Sequence, residues 1–133
     1  METEGANMSA PAVPTFGSIV LDCPDPDALA DFYARLLEWP DDPEPGTDWV
    51  SLTNPHGGAK LEFQRVAEYQ APEWPSQARP QQAHLDLTVT DLAAAHERAV
   101  RLGAVVLDDQ GLITSGFRVY ADPAGHPFCL CAC

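Results

Sequence analysis

Glu62, His84 and Cys129 are the residues whose types could do chemistry, and each sits inside a short apolar run. They fall in Lys60-Leu61-Glu62-Phe63-Gln64-Arg65-Val66, His84-Leu85-Asp86-Leu87-Thr88-Val89 and Pro127-Phe128-Cys129-Leu130-Cys131. A histidine, a carboxylate and a thiol ligate divalent metals or move protons when a fold draws them together. Side chains alternate across a strand, so each run can be split into two faces. Leu85, Leu87 and Val89 form an apolar set and leave His84, Asp86 and Thr88 opposite. Leu61 and Phe63 oppose Glu62 and Gln64, while Phe128 and Leu130 oppose Cys129 and Cys131. A fourth run, Ser18-Ile19-Val20-Leu21-Asp22-Cys23, packs Ile19, Leu21 and Cys23 and leaves Ser18, Val20 and Asp22. One sheet face is therefore expected to gather Ser18, Asp22, Glu62, Gln64, His84, Asp86, Thr88, Cys129 and Cys131. Such a face can simply be wet, as one side of an antiparallel sheet often is.

The elements that must position these residues come twice. The run from Ser18 ends at Pro24-Asp25-Pro26-Asp27, and the run from His84 ends at Thr90-Asp91; in both, a strand meets helix-start chemistry. Their offset, 84 − 18 = 66 residues, is half the chain. After Asp25 or Asp27 as N-cap, Leu29, Phe32, Tyr33, Leu36 and Leu37 make the stripe of an amphipathic helix that stops before Pro40. Leu92, Ala95, His96, Ala99 and Leu102 repeat the stripe, and Gly103 suits a left-handed C-cap. His96 reads as a packed helix-flank histidine. Extended segments follow each helix: Trp49–Leu52 and Lys60–Val66 around a turn at Asn54–Gly58, then Ala104–Leu107, Phe117–Tyr120 and Pro127–Cys131 around a turn at Asp122–His126. The closing strands keep the offset, 129 − 62 = 67. Each half reads as strand, helix, then two or three strands. The expected layout is a lead-in over 1–15 and a single domain over 16–133, with module one at 16–68, a proline-rich linker at 69–80 carrying an exposed Trp74, and module two at 81–133.

Composition narrows the partners. Twenty acidic residues against seven basic ones give a net charge of −13, a field that repels phosphate backbones and anionic lipid, so no nucleic acid and no membrane surface is expected. No run is long and apolar enough to span a bilayer, and the beginning of the chain lacks the order of a secretion signal, which makes a cytoplasmic location the expectation. Cys23 stands alone and Cys129, Cys131 and Cys133 crowd together, a pattern that fits reduced thiols better than a disulfide framework or a paired zinc site.

The paired βαβββ pattern, the helix carrying Phe32-Tyr33 and Leu36-Leu37, the phrase Glu62-Phe63-Gln64-Arg65-Val66 and the ending Asp122-Pro123-Ala124-Gly125-His126-Pro127-Phe128-Cys129-Leu130 resemble the vicinal oxygen chelate superfamily. Within it the chain looks most like the glyoxalase-like domains related to glyoxalase I and the bleomycin-resistance proteins, from about Phe16 to Cys131. The resemblance implies an α+β fold of two tandem βαβββ modules, with curved mixed sheets enclosing a cavity, usually in a homodimer. It also implies that the family's metal-ligand positions fall on Ser18 and Glu62 in the first module and on His84 and Cys129 in the second. Ser18 is a poor neutral ligand, and Cys129 stands where a carboxylate is usual.

Two functions follow. The first is a resistance or sequestration type protein that holds a small organic molecule in a homodimer cavity without a metal cofactor. Ser18, Asp22, Gln64, Asp86, Thr88, Tyr120 and Cys129 would contact the ligand; Asp22, Glu62 and Asp86 favour a cationic one, and Trp39, Trp49, Trp74 and Tyr120 offer stacking surfaces for an aromatic one. For Trp39, at a helix end, core packing is the better expectation. The alternative is a metal-dependent lyase or isomerase of the glyoxalase I type. Glu62 would be its base or a ligand and His84 a ligand, with Cys129 a weaker third, on zinc, nickel, manganese or iron. An oxygenase is disfavoured because His56 and His126 fall in turns and leave His84 without a second histidine. A surface-acting protein with a vestigial cavity has no residue that nominates a partner.

Overall fold

The computed structural model describes residues 12–40, 48–108 and 116–132. Of the lead-in expected over 1–15, residues 1–11 lie outside the described residues. The elements are β1 (Ser18–Cys23), α1 (Pro26–Leu37), β2 (Trp49–Leu52), β3 (Lys60–Arg65), β4 (Leu85–Thr88), α2 (Leu92–Leu102), β5 (Val105–Asp108), β6 (Phe117–Ala121) and β7 (Pro127–Cys131). The strands make two sheets, ordered β1-β3-β2 and β4-β7-β6-β5. In both, the opening strand lies parallel to the closing strand, which pairs antiparallel with the strand before it. The fold is thus α+β and says the same thing twice, although among the described residues the first repeat has three strands and the second four.

Both helices begin as the acidic residues dictate. The Asp25 side chain accepts from the Ala28 N–H at 3.2 Å and Asp91 from the Ala94 N–H at 3.1 Å, which settles the first N-cap on Asp25 rather than Asp27. Pro26, with no N–H to leave unpaired, opens α1. Left-handed or near-left-handed backbone ends them, at Glu38 (φ 55) and Gly103 (φ 120). The guanidinium of Arg98 on α2 donates to the carbonyl of Leu36 at 2.7 Å and to that of Arg35, tying the two helices at the open end of α1.

Helices cover one face of each sheet. Leu29, Phe32 and Tyr33 of α1 join Val50, Leu52, Phe63, Tyr120 and Phe128 in one core. Tyr33 stacks on Phe63 with centroids 5.9 Å apart, and Tyr120 stacks on Phe128 at 5.4 Å. Burying each such side chain contributes roughly 1.5–3 kcal/mol. Trp39 packs against this core, as expected at a helix end. Trp74 is half-buried rather than exposed.

Two further expectations need correction. Tyr120 is fully buried on the helix-covered face, where its hydroxyl lies 2.9 Å from Nδ1 of His96, so it offers no surface to a ligand. Its partner in register is Phe128, on the core face of β7, and that pairing fixes which way it turns. Cys23 and Cys129 are free thiols, but Cys131 is disulfide-bonded. No helix among the described residues is long and apolar enough to cross a membrane.

Candidate functional site

The sheet faces turned away from the helices carry the chemistry. Glu62 lies mid-strand in β3, paired with Val20 of β1 on one side and Ser51 of β2 on the other. Its carboxylate accepts from Trp49 Nε1 at 3.0 Å and from the Ser51 hydroxyl, with the Ser18 hydroxyl nearby. Those donors, the Ser51 hydroxyl first, hold the Glu62 carboxyl below its ordinary range. A carboxyl whose pKa is lowered by folding stabilises the fold above the unfolded value, and that contribution is lost as pH falls through the folded one. Glu62→Gln is therefore expected to show a shallower loss of stability on acidification than wild type. Urea midpoints measured from neutral pH into the carboxylate range check this, and parallel curves would refute it.

The second sheet gathers a different set. His84 precedes β4, its Nε2 lies 3.2 Å from Asp86 Oδ1, and Asp86 pairs in register with Cys129 of β7. Ligating atoms of His84, Asp86 and Cys129 all lie within 4.8 Å of one another, a spacing that one metal ion could bridge. Burial first, and then the charge of Asp86, push the Cys129 thiol up to about 11. The side chain is therefore a neutral thiol near pH 7, and a metal would have to displace its proton.

Of the residues expected to share one site, Ser18 and Glu62 meet on the first sheet, and His84, Asp86 and Cys129 meet on the second. Among the described residues, no cluster of three His, Cys, Asp or Glu donors includes Glu62. Asp22 pairs in register with Gln64, Thr88 with Cys131, and Asp22, Gln64 and Thr88 are exposed on the expected face. A depression of about 280 Å³ over the second sheet is lined by His84, Asp86, Phe117, Cys129 and Cys131. A more apolar one of about 270 Å³ runs from Phe16, Ile19 and Leu21 to His84 and His126.

Sequence reasoning set His126 aside as a turn residue, and it passed over Asp122 and Tyr69. Asp122, 3 % exposed, accepts from the Tyr33 hydroxyl at 2.7 Å and from the N–H groups of Ala124 and His126 at 2.9 and 3.0 Å. Burial raises its pKa against the pull of Tyr33. His126 Nε2 lies 2.6 Å from the main-chain carbonyl of Asp22, which fixes its proton on that nitrogen, and Tyr69 donates to the Ala124 carbonyl at 2.8 Å. The turn is held against segment 69–83 at a position that only glycine allows. Gly125 has φ 92, and a Cβ there would come within 2.7 Å of the Ala71 Cβ. An Asp-Pro-x-Gly turn following an apolar strand was the available signal, and turn chemistry alone does not distinguish a buried aspartate from an exposed one.

A family model described as a glyoxalase-like domain matches residues 18–131. No curated protein matches the chain by sequence. Among solved structures, a glyoxalase-related enzyme from Fulvimarina pelagi is similar at a TM-score of 0.62 and 20 % identity, covering 90 % of this chain and 88 % of that one. A glyoxalase/bleomycin resistance protein/dioxygenase family enzyme from Burkholderia phytofirmans is similar at 0.65 and 13 %, covering 88 % and 97 %. A possible glyoxalase from Bacillus cereus is similar at 0.63 and 13 %, covering 90 % and 99 %. At these identities the structures establish a shared fold.

Proposed function

Because the chain belongs to the family of glyoxalase-like domains, in the vicinal oxygen chelate superfamily, we propose that it binds a small organic molecule on the open face of its sheets, in a cavity completed by a second copy of the chain. The observation that carries this reading is the mixed chemistry of that face. Val20, Trp49 and Phe117 are 39 %, 44 % and 38 % exposed beside Glu62, Asp86 and Asp22, so apolar area and unneutralised carboxylates share a surface that no helix covers. Exposed apolar area rimmed by polar groups marks a surface that binds. The carboxylates favour a cationic ligand, and Trp49, anchored by Glu62, gives a flat one a stacking partner. The donor set supports binding without a metal: the Glu62 carboxylate already accepts from Trp49 and Ser51, and among the described residues no cluster of three His, Cys, Asp or Glu donors includes it.

The test pairs sedimentation with tryptophan fluorescence, using 1-methylquinolinium as a flat cationic probe. A dimer at micromolar concentration is expected, together with a saturable change in emission that weakens about tenfold in Glu62→Gln, the loss of one charge pairing. A monomer without a fluorescence response overturns the proposal.

The His84, Asp86 and Cys129 cluster favours a second reading, a metal-dependent lyase or isomerase. Those three residues would hold the ion, zinc suiting N, O and S donors best. When bound, such an ion polarises a substrate carbonyl oxygen. Glu62, held as a carboxylate by Ser51, would be the group that takes a proton. Stoichiometric zinc, nickel, iron or manganese in protein purified without chelator, lost in His84→Ala, would establish this reading over the metal-free one.

A further inference from the structure

Three of the four cysteines, Cys129, Cys131 and Cys133, crowd the end of β7, and the metal-free reading gives them no work. We infer that the disulfide of Cys131 is a redox switch on the cluster of His84, Asp86 and Cys129: oxidised, the cluster offers a divalent ion three donors, and reduced, it gains the Cys131 thiolate as a fourth. The inference rests on the metal-holding reading of this face and names what regulates it. Cys131 lies outside the four family positions, which are Ser18, Glu62, His84 and Cys129.

Period and register put Cys131 where a fourth donor belongs. Side chains two apart on a strand share a face, and Cys129 and Cys131 both line the depression over the second sheet together with His84 and Asp86. Cys129 pairs in register with Asp86 of β4, and Cys131 with Thr88, the next residue of β4 on that face. Same-face neighbours on a strand stand about 7 Å apart, a gap that two side chains close when both reach for one ion between them. Ligating atoms of the other three already lie within 4.8 Å of one another. Held in a disulfide, the Cys131 sulfur is no thiolate and cannot join them. One imidazole nitrogen, one carboxylate oxygen and two thiolates complete the tetrahedron that zinc takes, whereas three donors leave one position to water.

The chemistry balances with a dithiol as the reductant. The chain holds four cysteines, and with Cys23 and Cys129 free the partner of Cys131 within the chain is Cys133. Two electrons and two protons pass from the dithiol to the sulfurs of Cys131 and Cys133, the S–S bond breaks, and the dithiol leaves as its own disulfide. Cys131 is half-buried on the open face rather than in the core, so a reductant can reach it. On ligation the thiols of Cys129 and Cys131 each release a proton to solvent.

Zinc titrations of the full chain against a chromogenic chelator test the inference. They compare oxidised protein with protein reduced by a phosphine, which breaks the disulfide with oxygen taken from water and adds no competing thiol. A thiol count in denaturant follows the switch, with Cys23 and Cys129 reacting in the oxidised chain and all four cysteines in the reduced one. The reduced chain is expected to bind zinc at least about tenfold more tightly than the oxidised chain. Cys131→Ser should abolish that gain and leave the reduced variant at the affinity of the oxidised wild type. Cys133→Ser should show the affinity of the reduced wild type without any reductant, because it releases Cys131 and removes no donor. With cobalt in place of zinc, thiolate-to-metal charge-transfer absorption should strengthen on reduction of wild type and not of Cys131→Ser, a signature that a merely structural disulfide would not give. Equal affinity in the two redox states, or an affinity in Cys133→Ser no higher than that of the oxidised wild type, overturns the inference. Zinc held equally in both states and lost in His84→Ala removes the switch and keeps the metal reading, whereas no stoichiometric zinc in either state removes both.

Discussion

Phe128→Ala is expected to cost about 3–5 kcal/mol of folding stability, the range for truncating a core aromatic. Phe128 is fully buried on β7, which lies between β4 and β6 at the centre of the second sheet. Its ring stacks on Tyr120 and meets Phe32 and Tyr33 of α1 edge-on, at 6.0 and 6.3 Å. It is therefore one of the few side chains that touch both the second sheet and the first helix. The cavity left by alanine cannot close without moving α1, so collapse should recover little of the loss. A domain of this size holds about 5–15 kcal/mol in all, and the variant should sit near the edge of folding. Urea unfolding is the check, with a fall in midpoint at unchanged slope. Thr88→Ala, on the exposed face of the adjacent strand, is the control, expected within about 0.5 kcal/mol of wild type. A loss below about 1 kcal/mol for Phe128→Ala would mean that the aromatic cluster repacks as a unit.

Alternation carried most of what the sequence revealed. It works where a strand alternates clearly between apolar and polar residues, and β1, β3, β4 and β7 each do, so the faces of Glu62, His84, Asp86 and Cys129 were legible from period alone. It failed at β6. Phe-Arg-Val-Tyr-Ala is mixed on both faces, and only the register with β7 shows that Arg118 and Tyr120 turn inward beside Leu130 and Phe128 while Phe117 turns out. The half-chain offset made the tandem architecture legible, because the same order of elements folds into the same pairing. The half-chain offset also placed Ser18 and Glu62 in one sheet and His84 and Cys129 in the other. That Glu62 stays outside the cluster of His84, Asp86 and Cys129 was not legible, because it depends on contacts between modules, which no local pattern encodes.

Asp122→Ala is the second large effect, expected to cost about 3–4 kcal/mol. The substitution strips three hydrogen bonds from a buried site and leaves the Tyr33 hydroxyl and two main-chain N–H groups without partners, each costing about 1–3 kcal/mol before relaxation. The loss should exceed that of Tyr33→Phe, which removes one bond and leaves the two from the turn. Asp122→Asn separates the role of shape from that of charge. Burial raises the Asp122 pKa, so the folded chain holds that proton more readily than the unfolded chain does. The sign is opposite to that of Glu62: the contribution of Asp122 is most favourable below the unfolded carboxylate range and is lost as pH rises through its folded pKa. Asn has no charge to desolvate. The gap between wild type and Asp122→Asn should therefore move in favour of Asn as pH rises from the carboxylate range toward neutrality, and a pH series of thermal melts reads it. A gap that moved the other way would mean that the charge is stabilised by Tyr33 and the turn more than burial penalises it. The turn also reaches β1 and the linker through His126 and Tyr69. Asp122→Ala should accordingly raise amide exchange at Gly125 and His126, whereas Phe128→Ala, at equal loss of stability, should leave the exchange of that turn closer to wild type.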